Sequence, residues 1–301
     1  MNSISDDGYD DVQPPSQLYK YLSAERVSNV LEQGTVRFTP LLSTNDSFEV
    51  RMTFESLVGP RFLEMIGEVK RTTMSDDSLD AMLLKQLQEF GLHDLQAIPK
   101  PIREGLKRDI RKQVSAQLDG AIMPLLSNPA AAEVMLEKLG RDLLCFSLSE
   151  RSDIATMWAH YAGNHQGFVV AFDTSSEWFA KRKDGQPTRI RKVAYFDGTL
   201  EEPLQAPELA LCSKTTDWAY EREWRLYARA PQIDATFGNA NDPVHVINFP
   251  VDAVSRVIVG AKASLETTER IRSILKEKYP HARLTRAEPN RRTLSYDEVD
   301  L

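Results

Sequence analysis

The sequence predicts an α+β protein: a mixed, mostly antiparallel sheet of six or more strands, with a helical block inserted early in the chain. Two observations lead there. Short runs rich in β-branched and aromatic residues, bounded by turn-forming residues, occur both before residue 56 and after residue 141. Between them, SLDAMLLKQLQEFG and IREGLKRDIRKQVSAQLDGAIMPLL space apolar residues three and four apart, with dense charge on the other positions. The implied organisation is a disordered acidic tail over 1–16, an α+β core over 17–56 and 141–301, and a helical insertion over 57–140.

The elements follow in order. Leu18 to Tyr21 reads as a strand, and Ser23 can cap a helix in which Val27, Val30 and Leu31 share a face. Gly34 stops that helix, and TVRFT is the next strand. Pro99 and Pro101 separate two helices of the insertion, and Asn128 can cap another, with Pro129 at its first position. Strands return at 142–149, and Ser152 or Asp153 caps a short helix IATMWAHYAG. GFVVAFD, 167–173, has almost no polar residue and should be a central strand buried on both faces. Further strands are expected at 190–198, near 221–229, at PVHVINFP and at SRVIVGA. A helix from Ser264 to about Lys278 and two last strands, ARLTRAE and TLSYDE, complete the chain.

Composition narrows the function. With 301 residues and 42% apolar content the chain can build a core of normal size. A formal charge of −7 disfavours broad binding to nucleic acid or anionic membrane. The N-terminus has no signal-peptide character and no apolar run is long enough to span a bilayer, so a cytoplasmic setting with no membrane partner is expected. Cys145 and Cys212 are expected to be buried free thiols, and no spacing of Cys and His suggests a metal site.

Four constellations carry candidate chemistry. In DWAYEREWRLY, 217–227, strand alternation puts Glu221, Glu223 and Arg225 on one face and Tyr220, Arg222 and Trp224 on the other. A carboxylate on a rigid strand can stabilise developing positive charge; the plainer reading is a salt-bridged strand. In MWAHYAGNHQGF, 157–168, Met157, His160 and Tyr161 share a helical face, with Trp158 on a neighbouring one. His160 can shuttle a proton or donate to a ligand, or simply sit satisfied in a core helix. In LYKY, Tyr19 and Tyr21 lie on one side of the strand and Lys20 on the other. In CFSLSERSD, Ser147 and Ser149 alternate at a strand end, where Ser147 can bond a ribose or merely close the strand. Nucleotide-binding Gly-rich loops and a serine-hydrolase elbow are absent from the sequence.

The order of these motifs is more informative than any one of them. LYKY, GTVRFT, NDSFE, WAHYA, HQGFVVAFD, WAYEREWR and VIVG together resemble a bacterial family known as domain of unknown function 2971, over roughly 18–56 and 142–287. Ser47 stands where that family often has proline. The opening strand–helix–strand and Glu221-Arg222-Glu223 are also similar to the split sheet and Glu-x-Glu of the ADP-ribosyltransferase fold. That resemblance implies NAD as substrate. It makes Glu223 the group that stabilises the oxocarbenium-like transition state and Glu221 the group that orients the acceptor. Tyr19, Lys20, Tyr21, Ser147, Trp158, Tyr161 and Arg225 become the cofactor-binding candidates, with His160 beside the catalytic pair.

Three functional readings stay open at this stage. The first is an NAD-consuming ADP-ribosyltransferase or glycohydrolase, such as a toxin or defence effector, with a small nucleotide ligand and a protein or nucleic-acid acceptor. The second is a nuclease that gathers Asp46, Glu49, Glu221 and Glu223 around magnesium. The third is a non-enzymatic ligand sensor or partner-binding module, with the 57–140 helices serving a partner or a homo-oligomer.

Overall fold

The computed structural model describes residues 12–43, 71–88, 91, 93–127, 140–196, 212–239, 242–292 and 295–301. The chain divides into two units. Residues 1–50, 139–200 and 208–301 form the first, and 51–138 with 201–207 form the second.

The first unit is built on one 11-stranded sheet. At its centre β4 (Phe168–Asp173) pairs antiparallel with β1 (Gln17–Leu22) along six residues, from Gln17 opposite Asp173 to Leu22 opposite Phe168. Phe168, Val169, Val170, Ala171 and Phe172 are all buried, so neither face of β4 meets water. Its continuous apolar run is what such a position requires. On the other side of β4 lies antiparallel β11 (Val254–Val259), followed by β12 (Arg283–Asn290), which runs parallel to β11. Parallel neighbours need a crossover. The helix Leu265–Lys278 supplies it, with Ser264 Oγ accepting the Thr267 amide as N-cap and Ile271, Ile274 and Leu275 buried. The edge strand β13 (Ser295–Asp300) completes that flank.

Beyond β1 stands β3 (Leu143–Ser149). It meets β1 at one register position, Tyr19 opposite Ser149, but pairs with β8 (Glu223–Arg229) along seven. β2 (Thr35–Pro40), β10 (Asp242–Asn248) and the opposite edge strand β9 (Ala235–Asn239) follow β3, and β5 (Ile190–Lys192) lies along β8. β6 (Ala194–Phe196) and β7 (Ser213–Thr215) form a separate parallel pair. Cys145 and Cys212 are buried and not joined in a disulfide.

Several expectations need correction. The segment after Ser23 is not an α-helix: it is a 3-10 turn, Ala24–Arg26, and a wide π-type turn, Ser28–Glu32, and Ser23 makes no capping bond. Val27, Val30 and Leu31 are nevertheless buried as their spacing predicts. The carbonyls of this turn find partners elsewhere. Tyr279 Oη donates to Leu31 O, and Lys278 Nζ donates to Glu32 O. The expected strand 190–198 is two short strands that break at Val193, whose amide bonds Glu223 O. The expected strand near 221–229 begins at Glu223. Before it, Thr216–Glu221 is a 3-10 helix, and Arg222 has a left-handed φ of 45°.

In the second unit, helices Asp76–Gln88 and Lys100–Ser127 pack Leu79, Leu83 and Ile110 together. Lys107 is buried and meets Asp80 at 2.6 Å. The acidic tail up to residue 11, the Asn45–Asp46 turn with Glu49, and the helix expected after Asn128 lie outside the described residues.

Candidate functional site

A cavity of about 160 Å³ opens in the first unit where β1, β3, β8, the short helix Ala155–Tyr161 and β7 come together. The register explains its place: β1 and β3 pair at a single position, so side chains rather than a ladder fill the space around it. β8 presents Glu223 and Arg225 on one face, while Trp224 on the other is buried in the main core. Alternation along a strand gives this outcome, and the Trp anchor fixes where the acids stand.

Glu221 does not share that strand. It ends the 3-10 helix, and the left-handed turn at Arg222 returns its side chain to the same cavity. A charged lattice results. Lys214 Nζ lies 2.6 Å from Glu221 Oε2 and 2.7 Å from Glu223 Oε2. Arg225 donates from Nε to Glu223 Oε1 at 2.9 Å and from Nη2 to Glu223 Oε2 at 3.1 Å. Tyr161 Oη donates to Glu221 Oε1 at 2.5 Å, and Tyr195 Oη accepts the Glu223 amide at 2.8 Å. Glu221, Glu223 and Arg225 are 4%, 3% and 0% exposed, so these are buried ion pairs and not a salt-bridged surface.

The electrostatics follow. Burial pushes the Glu223 carboxyl upward, but Arg225 and Lys214 outweigh it and hold it well below the usual carboxylate range. Glu223 is therefore ionised at neutral pH. Lys20 is drawn below the ordinary lysine value by burial, partly offset by Glu223. Its Nζ donates to Ser147 O at 2.8 Å and lies 5.0 Å from the centre of the Phe146 ring. Lys20, Lys214 and Arg225 face two carboxylates, so the cavity lining carries a positive surplus when Lys20 is protonated.

Eight of the ten residues singled out in the sequence line this cavity: Tyr19, Lys20, Tyr21, Ser147, Tyr161, Glu221, Glu223 and Arg225. Two do not. Trp158 is fully buried in a satellite core, its indole donating to Ser152 O at 2.7 Å. His160 is exposed on the far side of its helix, with Nδ1 3.3 Å from Tyr220 Oη. The predicted face of Met157, His160 and Tyr161 is thus split: Met157 and Tyr161 line the cavity, while His160 is exposed beside Tyr220. Tyr21 lines the cavity but commits its hydroxyl to Arg151 O.

The central residue of the lattice was not among the ten. Lys214 stands in a stretch without periodicity, and a three-residue strand holds it. Tyr195, on another three-residue strand, was missed for the same lack of pattern. The two Lys214 contacts also decide what the acids can hold: an ammonium stands where a divalent ion shared by Glu221 and Glu223 would stand. Among the described residues no group of three or more His, Cys, Asp or Glu side chains is placed to hold a metal.

Fold and site together define an α+β protein with a buried, ion-paired cleft. A family model described as a protein of unknown function (DUF2971) matches residues 157–226, which supports the family resemblance read in the sequence. That stretch supplies Met157, Tyr161, Lys214, Glu221, Glu223 and Arg225 of the cavity lining. Comparisons with curated proteins and with solved structures gave no match.

Proposed function

We propose that this chain binds NAD in the cavity and cleaves it, as an ADP-ribosyltransferase or NAD glycohydrolase does. The observation that carries this reading is a buried, ionised carboxylate, Glu223, lining the same cavity as Tyr19, Lys20, Tyr161 and Arg225. In the reaction the bond between the ribose and the nicotinamide nitrogen breaks, and the electron pair leaves with nicotinamide. Positive charge then develops on the ribose, and the oxygen of water or of an acceptor hydroxyl forms the new bond to that carbon and releases its proton to solvent. A fixed negative charge in a site with little water favours that transition state. Glu221, held by Tyr161 and Lys214, orients the incoming group. The cavity is smaller than the ~300–1,000 Å³ of a site that encloses a whole drug-sized ligand. It therefore takes the nicotinamide-ribose end, with Lys20 and Arg225 toward the phosphates. The surplus of cations over carboxylates supports a ligand with its own negative charge.

The test is nicotinamide release from NAD, together with calorimetric titration of NAD and ADP-ribose. Wild-type protein is expected to release nicotinamide. Glu223→Gln is expected to lose at least about 100-fold of that rate, a size typical for removing one electrostatic stabiliser, while still binding ADP-ribose. Binding without release by the wild type would turn the reading to a ligand-sensing module. Binding of neither compound would sink it. The magnesium-nuclease reading has less support, because the Lys214 ammonium lies between the two acids, within 2.7 Å of each, where a shared metal ion would stand.

A further inference from the structure

A second cleft, of about 530 Å³, shares no lining residue with the first. Its walls include Trp178, Lys181, Arg182, Lys183, Asp234 and Asn248, and its volume lies within the usual range for a small-molecule site. Its nearby carboxylates are largely committed. Asp234 accepts Lys183 Nζ at 2.8 Å and the Asn248 amide at 2.8 Å. Glu177 faces Lys181 at 3.8 Å, and Asp184, at the same corner, accepts Gln232 Nε2 at 2.9 Å. Asp252 is exposed.

Arg182 is different. Among the described residues, Lys107, Arg182, Glu221, Glu223 and Arg225 are charged and at least nine-tenths buried. All but Arg182 sit in ion pairs: Lys107 with Asp80, Glu221 with Lys214, and Glu223 with Arg225 and Lys214. Arg182, 5% exposed, has no carboxylate within ion-pair distance among the described residues. It donates to Trp178 O, its guanidinium carbon lies 5.0 Å from the centre of the Trp178 ring, and its Nε has no acceptor. An uncompensated buried charge is costly, and a chain that keeps one gains if a ligand supplies the counter-charge. The cost shows in the group itself: burial draws Arg182 down to about 10, against the partial pull of Asp184 and Asp234.

We propose that this cleft is a second binding site, for a small anion that bears a phosphate or a carboxylate. The Arg182 guanidinium receives the anion beside the Trp178 ring, with Lys181 at the rim. Guanidinium suits either group because its fork of N–H donors matches two oxygens at once. The site is independent of any chemistry in the first cleft.

The test follows the arginine Nε–H resonances of the full chain by ¹⁵N–¹H NMR during titration with inorganic phosphate and, separately, acetate. Arg182→Lys identifies the Arg182 signal; should that variant not fold, sequential assignment of the wild type replaces it. The Arg182 signal is expected to shift and saturate with at least one anion. It should do so equally in Lys20→Met, where the first cleft has lost a cation. Saturation with phosphate alone, or acetate alone, assigns the preferred group. No shift with either anion overturns the proposal, as does a shift that never saturates. A response that disappears in Lys20→Met overturns it too, because the anion then belongs to the first cleft.

Discussion

Glu223 meets Arg225 through both carboxylate oxygens and Lys214 through one of them, with almost no contact with solvent. In that environment the loss of one partner matters more than the worth of the pair, because a buried charge is left behind. Arg225→Met is expected to destabilise the protein by ~3–5 kcal/mol, measured as a shift in urea midpoint at pH 7. Adding Glu223→Leu to it should recover much of the loss; if the double variant is no more stable than Arg225→Met, the lattice does not work as described. At this scale the sequence is informative where periodicity applies. Trp224 in and Glu223 and Arg225 out of the core follow from alternation. Lys214 and Tyr195 do not, since strands of three residues carry no readable period.

The elements most legible in the sequence are those with one strong pattern, such as the wholly apolar β4 and the Ser264-capped helix. The turn after Ser23 was misread because its carbonyls are satisfied from Lys278 and Tyr279, and contacts about 250 residues away leave no local trace. β9 was missed because its residues are mostly exposed and lack alternation. Close approach of backbones is another such long-range constraint. A Cβ on Gly167 would lie 2.1 Å from Leu22 O and 3.0 Å from Ala162 O, at the place where β4 begins to pair with β1. Neither obstacle is a side chain that can swing away. Gly167→Ala is expected to cost ~3 kcal/mol, the upper end for overpacking, and to lower the melting temperature by about 10 °C. An unchanged melting curve would show that β1 and β4 can move apart freely.

At the scale of the whole molecule, stability should depend on acid in a particular direction. Glu223 is held below its ordinary value by Arg225 and Lys214, against burial. Glu150 is likewise lowered, by Lys192 and the Trp224 indole working against burial. A depressed carboxylate stabilises the fold above its unfolded value, near 4.5. That stabilisation is lost as pH falls from there toward the lower folded values. The urea midpoint should therefore hold between pH 7 and about pH 5 and drop below that, and Glu223→Gln should flatten the drop. An equally steep decline in the variant would assign acid sensitivity to other groups. The same topology has a consequence for synthesis. Lys20 emerges from the ribosome some two hundred residues before Glu223, and the strand carrying Glu223 is what closes the cavity. A nascent chain that stalls, or a message cut short before residue 221, yields a polypeptide that lacks both acids of the cleft and the strand that carries Arg225.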